Sequence, residues 1–135
     1  MQNIRKATNH LKKDPVLKDL IDCFGPLNYK PPKNRFTNLV SDIIGQQLSG
    51  KAADTIYNRF LTLFPNKRFT PRLILAQPLE KLRSIGTSCA KARSLHDLSQ
   101  KVLDKTVQLN KLDTMSDEEV IVHLTQVKGI GRWTV

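Results

Sequence analysis

The sequence predicts an all-α domain. Three observations carry that expectation. Apolar residues recur at three- and four-residue spacing along the chain, as one buried stripe of a helix requires. Capping residues stand just before these stripes, and glycine or proline just after them. No stretch alternates convincingly as a strand, and no Asn-Gly or Asp-Gly hairpin turn occurs. A length of 135 residues suits a single domain, 1–135, large enough to bury a core.

The elements follow in order. Residues 1–13 are polar and basic and are expected to fray at the start. Asp14-Pro15 opens a helix, with Asp as cap and Pro in the first turn. Val16, Leu17, Leu20, Ile21 and Phe24 form its apolar face, and Gly25-Pro26 ends it. Leu27 to Lys33 is a proline-rich connector with a basic end. Asn34 caps the next helix, whose stripe is Phe36, Leu39, Val40, Ile43 and Ile44. Ser49 caps another that carries Ala52, Ala53, Ile56, Phe60 and Phe64. These two helices meet at Gln46-Gln47-Leu48-Ser49, a polar junction where core would be easier to build. Asn66 to Phe69 is a basic loop. Thr70-Pro71 and Pro78 begin short helices, the second ending at Ile85-Gly86. Ser88 caps a longer helix with Ala92, Leu95, Leu98 and Val102 inward. Residues 104–115 form a polar connector. Ser116 and Glu119 then make a capping box, opening the helix that runs towards Val127.

Composition narrows the function classes. Lysine and arginine number 22 against 12 acidic residues, a net charge of +10, which points to a polyanionic partner, nucleic acid first. A hydrophobic content of 39% with 25% charged residues fits a folded globule rather than a disordered tail. No apolar run approaches the ~20 residues that cross a bilayer, and the N-terminus lacks the apolar core of a signal peptide. No membrane association is expected. Cys23 and Cys89 have neither a disulfide framework nor metal-ligand spacing, which fits a reducing, intracellular compartment. His10, His96 and His123 are scattered and read as surface residues. Asp42, Asp54 and Asp97 read as surface or capping carboxylates.

The stretch with the clearest chemistry is Leu124-Thr-Gln-Val-Lys-Gly-Ile-Gly-Arg-Trp-Thr-Val135. A tight turn on Gly129-Ile130-Gly131, with a second helix expected from Arg132, would point unpartnered amides outward, an arrangement that captures a phosphate. Lys128 and Arg132 flank it with full charges. An ordinary helical corner with glycine for geometry is the alternative at this point.

Val127-Lys-Gly-Ile-Gly-Arg-Trp-Thr134 resembles the hairpin of the helix-hairpin-helix DNA glycosylase superfamily, closest to its 3-methyladenine DNA glycosylase II branch. Two further stretches are similar to that branch. One runs from Arg35 to Ala53 and includes Ile44-Gly-Gln-Gln-Leu-Ser-Gly50. The other is Leu82-Arg-Ser-Ile-Gly-Thr-Ser-Cys-Ala-Lys-Ala-Arg-Ser-Leu95. The resemblance spans about residues 10–135, with the helix-hairpin-helix at about 116–135.

The resemblance implies base-excision repair of double-stranded DNA carrying alkylated bases such as 3-methyladenine, by a protein that acts as a monomer wherever DNA is kept, nucleoid or nucleus. It implies that Lys128, Gly129, Ile130, Gly131, Arg132 and Thr134 meet a DNA phosphate. The Gln46, Gln47 and Ser49 junction would face the minor groove, with Gln47 at the wedge position that fills the gap left by an extruded base. The branch often has an apolar wedge there, and proline at the place of Lys128. Bifunctional members carry a lysine at the place of Trp133. Tryptophan cannot form an imine, so the implied chemistry is monofunctional hydrolysis. Trp133 is either a pocket wall for an electron-poor base or a core residue. A monovalent cation is implied at the carbonyls of Thr125, Val127 and Ile130, with no other cofactor. The family's catalytic aspartate lies on the helix after the hairpin. No residue of this sequence matches it, so the chain is expected to be incomplete at its C-terminus and inactive alone. The rival expectation is a non-catalytic helix-hairpin-helix DNA-binding module.

Overall fold

The computed structural model describes residues 2–25 and 34–135, and they fall into two compact units, 1–33 and 34–135. The expected connector from Leu27 to Lys33 lies outside the described residues. All regular structure among the described residues is helical. No described helix is long and apolar enough to cross a membrane.

The first unit pairs α1 (Gln2–Leu11) with α2 (Pro15–Phe24). The sequence gives no sign of α1, which nevertheless forms from Gln2 to Leu11. Its sequence has no acidic first turn and no N-terminal cap to announce it. Asp14 caps α2 by accepting from the amides of Val16 and Leu17, and Gly25 closes it at φ +81°. Asp22 accepts from Lys12 at 2.6 Å and Lys18 at 2.8 Å. Those two hydrogen bonds hold its carboxyl down to about 2. Val16, Leu20 and Phe24 are exposed on α2.

The second unit is built on α3 (Arg35–Gly45), α4 (Gly50–Thr62), α5 (Pro71–Leu75), α6 (Leu79–Ser84), α7 (Cys89–Leu103) and α8 (Asp117–Leu124). The stripe expected on α3 is the observed one: Phe36, Leu39, Val40, Ile43 and Ile44 are all buried. The caps form at Asn34, Thr70, Ser88 and Ser116, the last with its complete capping box. Ser49 stands at the cap position of α4, but its hydroxyl bonds no amide. Short 3-10 turns at Pro65–Lys67 and Leu109–Thr114 interrupt the loops.

Helix α7 is central, packing against α3, α5 and α6. Its inward residues Ala92, Leu95 and Leu98 are fully buried. Phe60 anchors the far side, with its ring centroid 4.9 Å from Phe64 and 5.0 Å from Phe69, both edge-on. Such pairs add to the area they bury. The same core takes in Val127 and Ile130 from the chain beyond α8. The packing of this unit therefore also fixes where the glycine turn sits.

Candidate functional site

Val127 and Ile130 are the feet of the turn, 1% and 4% exposed. Burying side chains of that size stabilises by about 1.5–3 kcal/mol each. Between them, Gly129 adopts φ +80°, and a Cβ there would collide with Ser94 Oγ and lie 3.2 Å from Ser94 Cβ. Glycine is thus required twice, for the left-handed backbone and for close approach to α7. Gly131 differs: a Cβ there would meet nothing within 4 Å. The space over Gly131 is open on the outside of the turn.

The amides divide accordingly. The Ile130 N–H donates to Val127 O at 3.1 Å, and the Lys128 N–H donates to Asp97 Oδ2 at 2.7 Å. Neither is left for a ligand, which corrects the expectation that the Ile130 amide faces a phosphate. Among the described residues, the amides of Gly129, Gly131, Arg132 and Trp133 have no partner. No helix starts at Arg132. Arg132 to Thr134 is a turn closed by Thr134 N–H to Gly131 O at 2.9 Å.

Side chains on the turn also depart from expectation. The Arg132 guanidinium is bidentate on Glu118, at 2.7 and 3.2 Å, with both side chains exposed. Its charge is shared with an acid, whereas the Lys128 ammonium forms no ion pair among the described residues and lies within electrostatic reach of Asp97. Trp133 is fully exposed. It borders an open concavity of about 760 Å³ with Asp42, Gln46, Gln47, Gly129 and Thr134.

The other wall of that concavity is the α3–α4 junction. Gln47 is exposed and holds φ +58°. A left-handed non-glycine residue costs about 1–2 kcal/mol and marks a constrained site. Gln46 Nε2 donates to Gly129 O at 2.9 Å and to Thr134 Oγ1 at 3.3 Å. Gln46 was expected at the DNA surface, yet its amide is engaged by the hairpin. Ser49 is exposed and keeps its hydroxyl free among the described residues.

Sequence reading missed the roles of Lys91 and Asp97. Lys91, in the first turn of α7, donates to Ile44 O at 2.8 Å and Gln46 O at 2.7 Å. It satisfies carbonyls at the C-terminal end of α3, where a cation is favoured. Burial pushes its ammonium below the usual lysine range. Asp97 is not a surface carboxylate. It is 18% exposed and accepts from both Lys101 Nζ, at 2.7 Å, and the Lys128 amide. Lys101 also donates to Gln126 O at 2.5 Å. Burial alone would raise the Asp97 carboxyl, but the hydrogen bonds from Lys101 and Lys128 outweigh it and hold the group low. Asp42 accepts from Asn38 Nδ2 at 2.9 Å, and partial burial pushes its carboxyl up. No short-range pattern announces the bonds from Lys91 and from the Lys128 amide, because their partners lie 31 to 47 positions away.

Asp97→Ala is expected to destabilise the second unit by about 1.5–3 kcal/mol, the range for a hydrogen bond to a charged group. The sign with pH follows from the depressed carboxyl. Its contribution is present above the unfolded value near 3.9 and is lost as pH falls through the folded value. Urea unfolding of wild type and Asp97→Asn should therefore differ at neutral pH and converge in acid. A constant gap down to the lowest pH would contradict the assignment.

His96 and His123 are half-buried rather than surface residues. His96 Nε2 lies 2.9 Å from Gln77 O, and His123 Nε2 accepts the Gln108 N–H at 2.8 Å. No cluster of metal-binding side chains occurs among the described residues. The carbonyls of Thr125 and Ile130 accept no hydrogen bond among the described residues, and that of Val127 accepts one. Lone pairs therefore remain for a backbone-ligated cation.

The family model described as HhH-GPD superfamily base excision DNA repair protein matches residues 40–133. DNA-3-methyladenine glycosylase 1 of Schizosaccharomyces pombe is 36% identical over 98% of this chain and 61% of its own length. The alkylbase DNA glycosidase-like protein mag2 of the same yeast is 30% identical over 97% of this chain and 64% of its own. The chain thus spans a little over three fifths of these relatives. Among solved structures, the 3-methyladenine DNA glycosylase of that yeast in complex with abasic DNA superposes with a TM-score of 0.83 at 36% identity, covering 96% of this chain and 66% of the other. A Bacillus halodurans DNA-3-methyladenine glycosidase gives 0.79 at 32% identity, covering 92% and 57%. The matched stretch holds the junction, α7 and the glycine turn together, and the chain belongs to the HhH-GPD superfamily of base excision DNA repair proteins.

Proposed function

We propose that the protein is a monofunctional DNA glycosylase that releases alkylated bases, such as 3-methyladenine, from double-stranded DNA. One observation carries the reading: the phosphate-type turn and the polar junction border the same concavity, with Trp133 beside it. The unpartnered amides of Gly131, Arg132 and Trp133, with Lys128, would hold the backbone. Gln47 would enter the space a flipped base leaves. Trp133 offers an exposed π face to a base made electron-poor by alkylation. Hydrolysis breaks the bond from base to sugar. The base departs with the bonding electrons, and water supplies the new bond at the sugar carbon.

In this reading the charge-stabilising aspartate would lie on a helix that follows the hairpin. Trp133, standing where bifunctional relatives carry lysine, supports hydrolysis without strand cleavage. The test uses this chain extended by the segment that follows the hairpin in the S. pombe glycosylase. It should release 3-methyladenine from methylated duplex and leave the abasic strands uncut. Strand cleavage at the abasic site would overturn the monofunctional assignment.

The carbonyls of Thr125, Val127 and Ile130 would hold a monovalent cation, placing positive charge beside the bound phosphate. Duplex affinity at constant ionic strength should then be higher in potassium than in a bulky organic cation. Equal affinity would remove the cation from the account.

A further inference from the structure

We infer that Gln46 and Lys91 are positioning residues that lock the hairpin to the α3–α4 junction and hold Gln47 in its wedge conformation. The inference rests on the reading that this face meets DNA. It reassigns Gln46 from a contact residue to a clip.

Gln47 has the left-handed backbone of a strained residue, at φ +58°. Strain of that kind persists only where the neighbours over-determine it. The residue before it is tied at both ends. Its carbonyl accepts from Lys91 Nζ at 2.7 Å, and the same ammonium holds Ile44 O at 2.8 Å. Its side-chain amide reaches across to the hairpin, donating to Gly129 O at 2.9 Å and Thr134 Oγ1 at 3.3 Å. Three segments remote in sequence thereby converge on one residue: the start of α7, the junction and the glycine turn.

The chemistry of the clip is specific. A carbonyl and a hydroxyl can both accept from one NH₂ group, and only the amide of a glutamine or asparagine offers two such hydrogens on an uncharged side chain. Glutamate at this position would set a carboxylate against the Gly129 carbonyl. Methionine would keep the length and lose the donors. The lysine is equally specific. Its ammonium donates to two carbonyls at once, and methionine there would leave both without that partner. The functional consequence is distance control. A phosphate held at Gly131 and a side chain inserted from Gln47 must keep a fixed separation to engage one lesion, and Gln46 is the direct link between them.

The test measures the preference for a duplex carrying a tetrahydrofuran abasic-site analogue over the intact duplex of the same sequence, by fluorescence anisotropy. Wild type, Gln47→Ala, Gln46→Met, Lys91→Met and the Gln46→Met/Gln47→Ala double variant are compared, each with its thermal midpoint. Wild type should prefer the abasic duplex by about tenfold, and Gln47→Ala should remove most of that preference. Gln46→Met should lose the preference to the same extent while keeping a cooperative unfolding transition, and the double variant should lose no more than either single one. Lys91→Met, which acts on the main chain from the other side, should move the preference in the same direction. A Gln46→Met chain that keeps the wild-type preference, or losses that add in the double variant, would overturn the inference. Absence of binding to either duplex by wild type would instead overturn the functional reading on which it rests.

Discussion

Gly129→Val should be the most damaging single substitution in the hairpin. Two independent costs meet at this residue. A left-handed backbone at φ +80° opposes any L side chain, and a β-branched one most of all. The added Cβ also runs into Ser94 of α7, itself buried and bonded to Ala90 O at 3.0 Å. Backbone strain and overpacking together amount to about 2–5 kcal/mol. The feet of the turn, Val127 and Ile130, would lose their seats in the core, so duplex binding should fall with stability. Urea unfolding reads the first effect and duplex titration the second. Gly129→Ala combined with Ser94→Gly should recover the collision but not the backbone strain. If Gly129→Val unfolded within about 0.5 kcal/mol of wild type, a loss small enough for an ordinary surface substitution, the described turn would be wrong.

The second large effect is on base release. This 135-residue polypeptide should free 3-methyladenine at least about 100-fold more slowly than the same chain extended through the S. pombe segment after the hairpin, the usual cost of a missing electrostatic stabiliser. Binding and wedging can help a damaged base out of the stack, and a cationic alkylated base is already a good leaving group. Bond cleavage still leaves positive charge on the sugar, and that charge needs a carboxylate in a shielded site. The nearest candidate here is Asp42, at the edge of an open concavity. It is exposed and matches no catalytic motif of the family. Equal release by the two chains would make Asp42→Asn the next variant to assay. If neither chain released base while both bound duplex, the hairpin would stand as a binding module.

Much of the fold was legible because its signals are local. Asn34, Thr70, Ser88 and Ser116 cap where their sequence neighbourhoods say they should, and the α3 stripe is buried residue for residue. Helix α1 was not legible: its sequence offers no cap signal, and it pairs with α2 in the first unit. The glycine turn was visible as a motif, but its division of labour was not. Gly129 is needed for φ and for Ser94, whereas Gly131 is needed only to keep space open. That distinction depends on α7, more than thirty residues away. Lys91, Asp97 and the side chain of Gln46 belong to the same class. Each makes its decisive hydrogen bond across 31 to 83 positions of sequence, where no helical or capping periodicity reaches.

Duplex titration at two salt concentrations, with wild type, Gly131→Val and Arg93→Ala side by side, tests the central claim most directly. If the open amides of the turn hold a phosphate, affinity should fall on the order of 100-fold between about 50 and about 200 mM salt, as expected for a handful of neutralised phosphates. Gly131→Val fills the open space over the amides and should weaken binding about tenfold or more at either salt. Arg93, exposed on α7, should matter far less. Affinity that ignores salt, or a Gly131→Val chain that binds as tightly as wild type, would contradict the account.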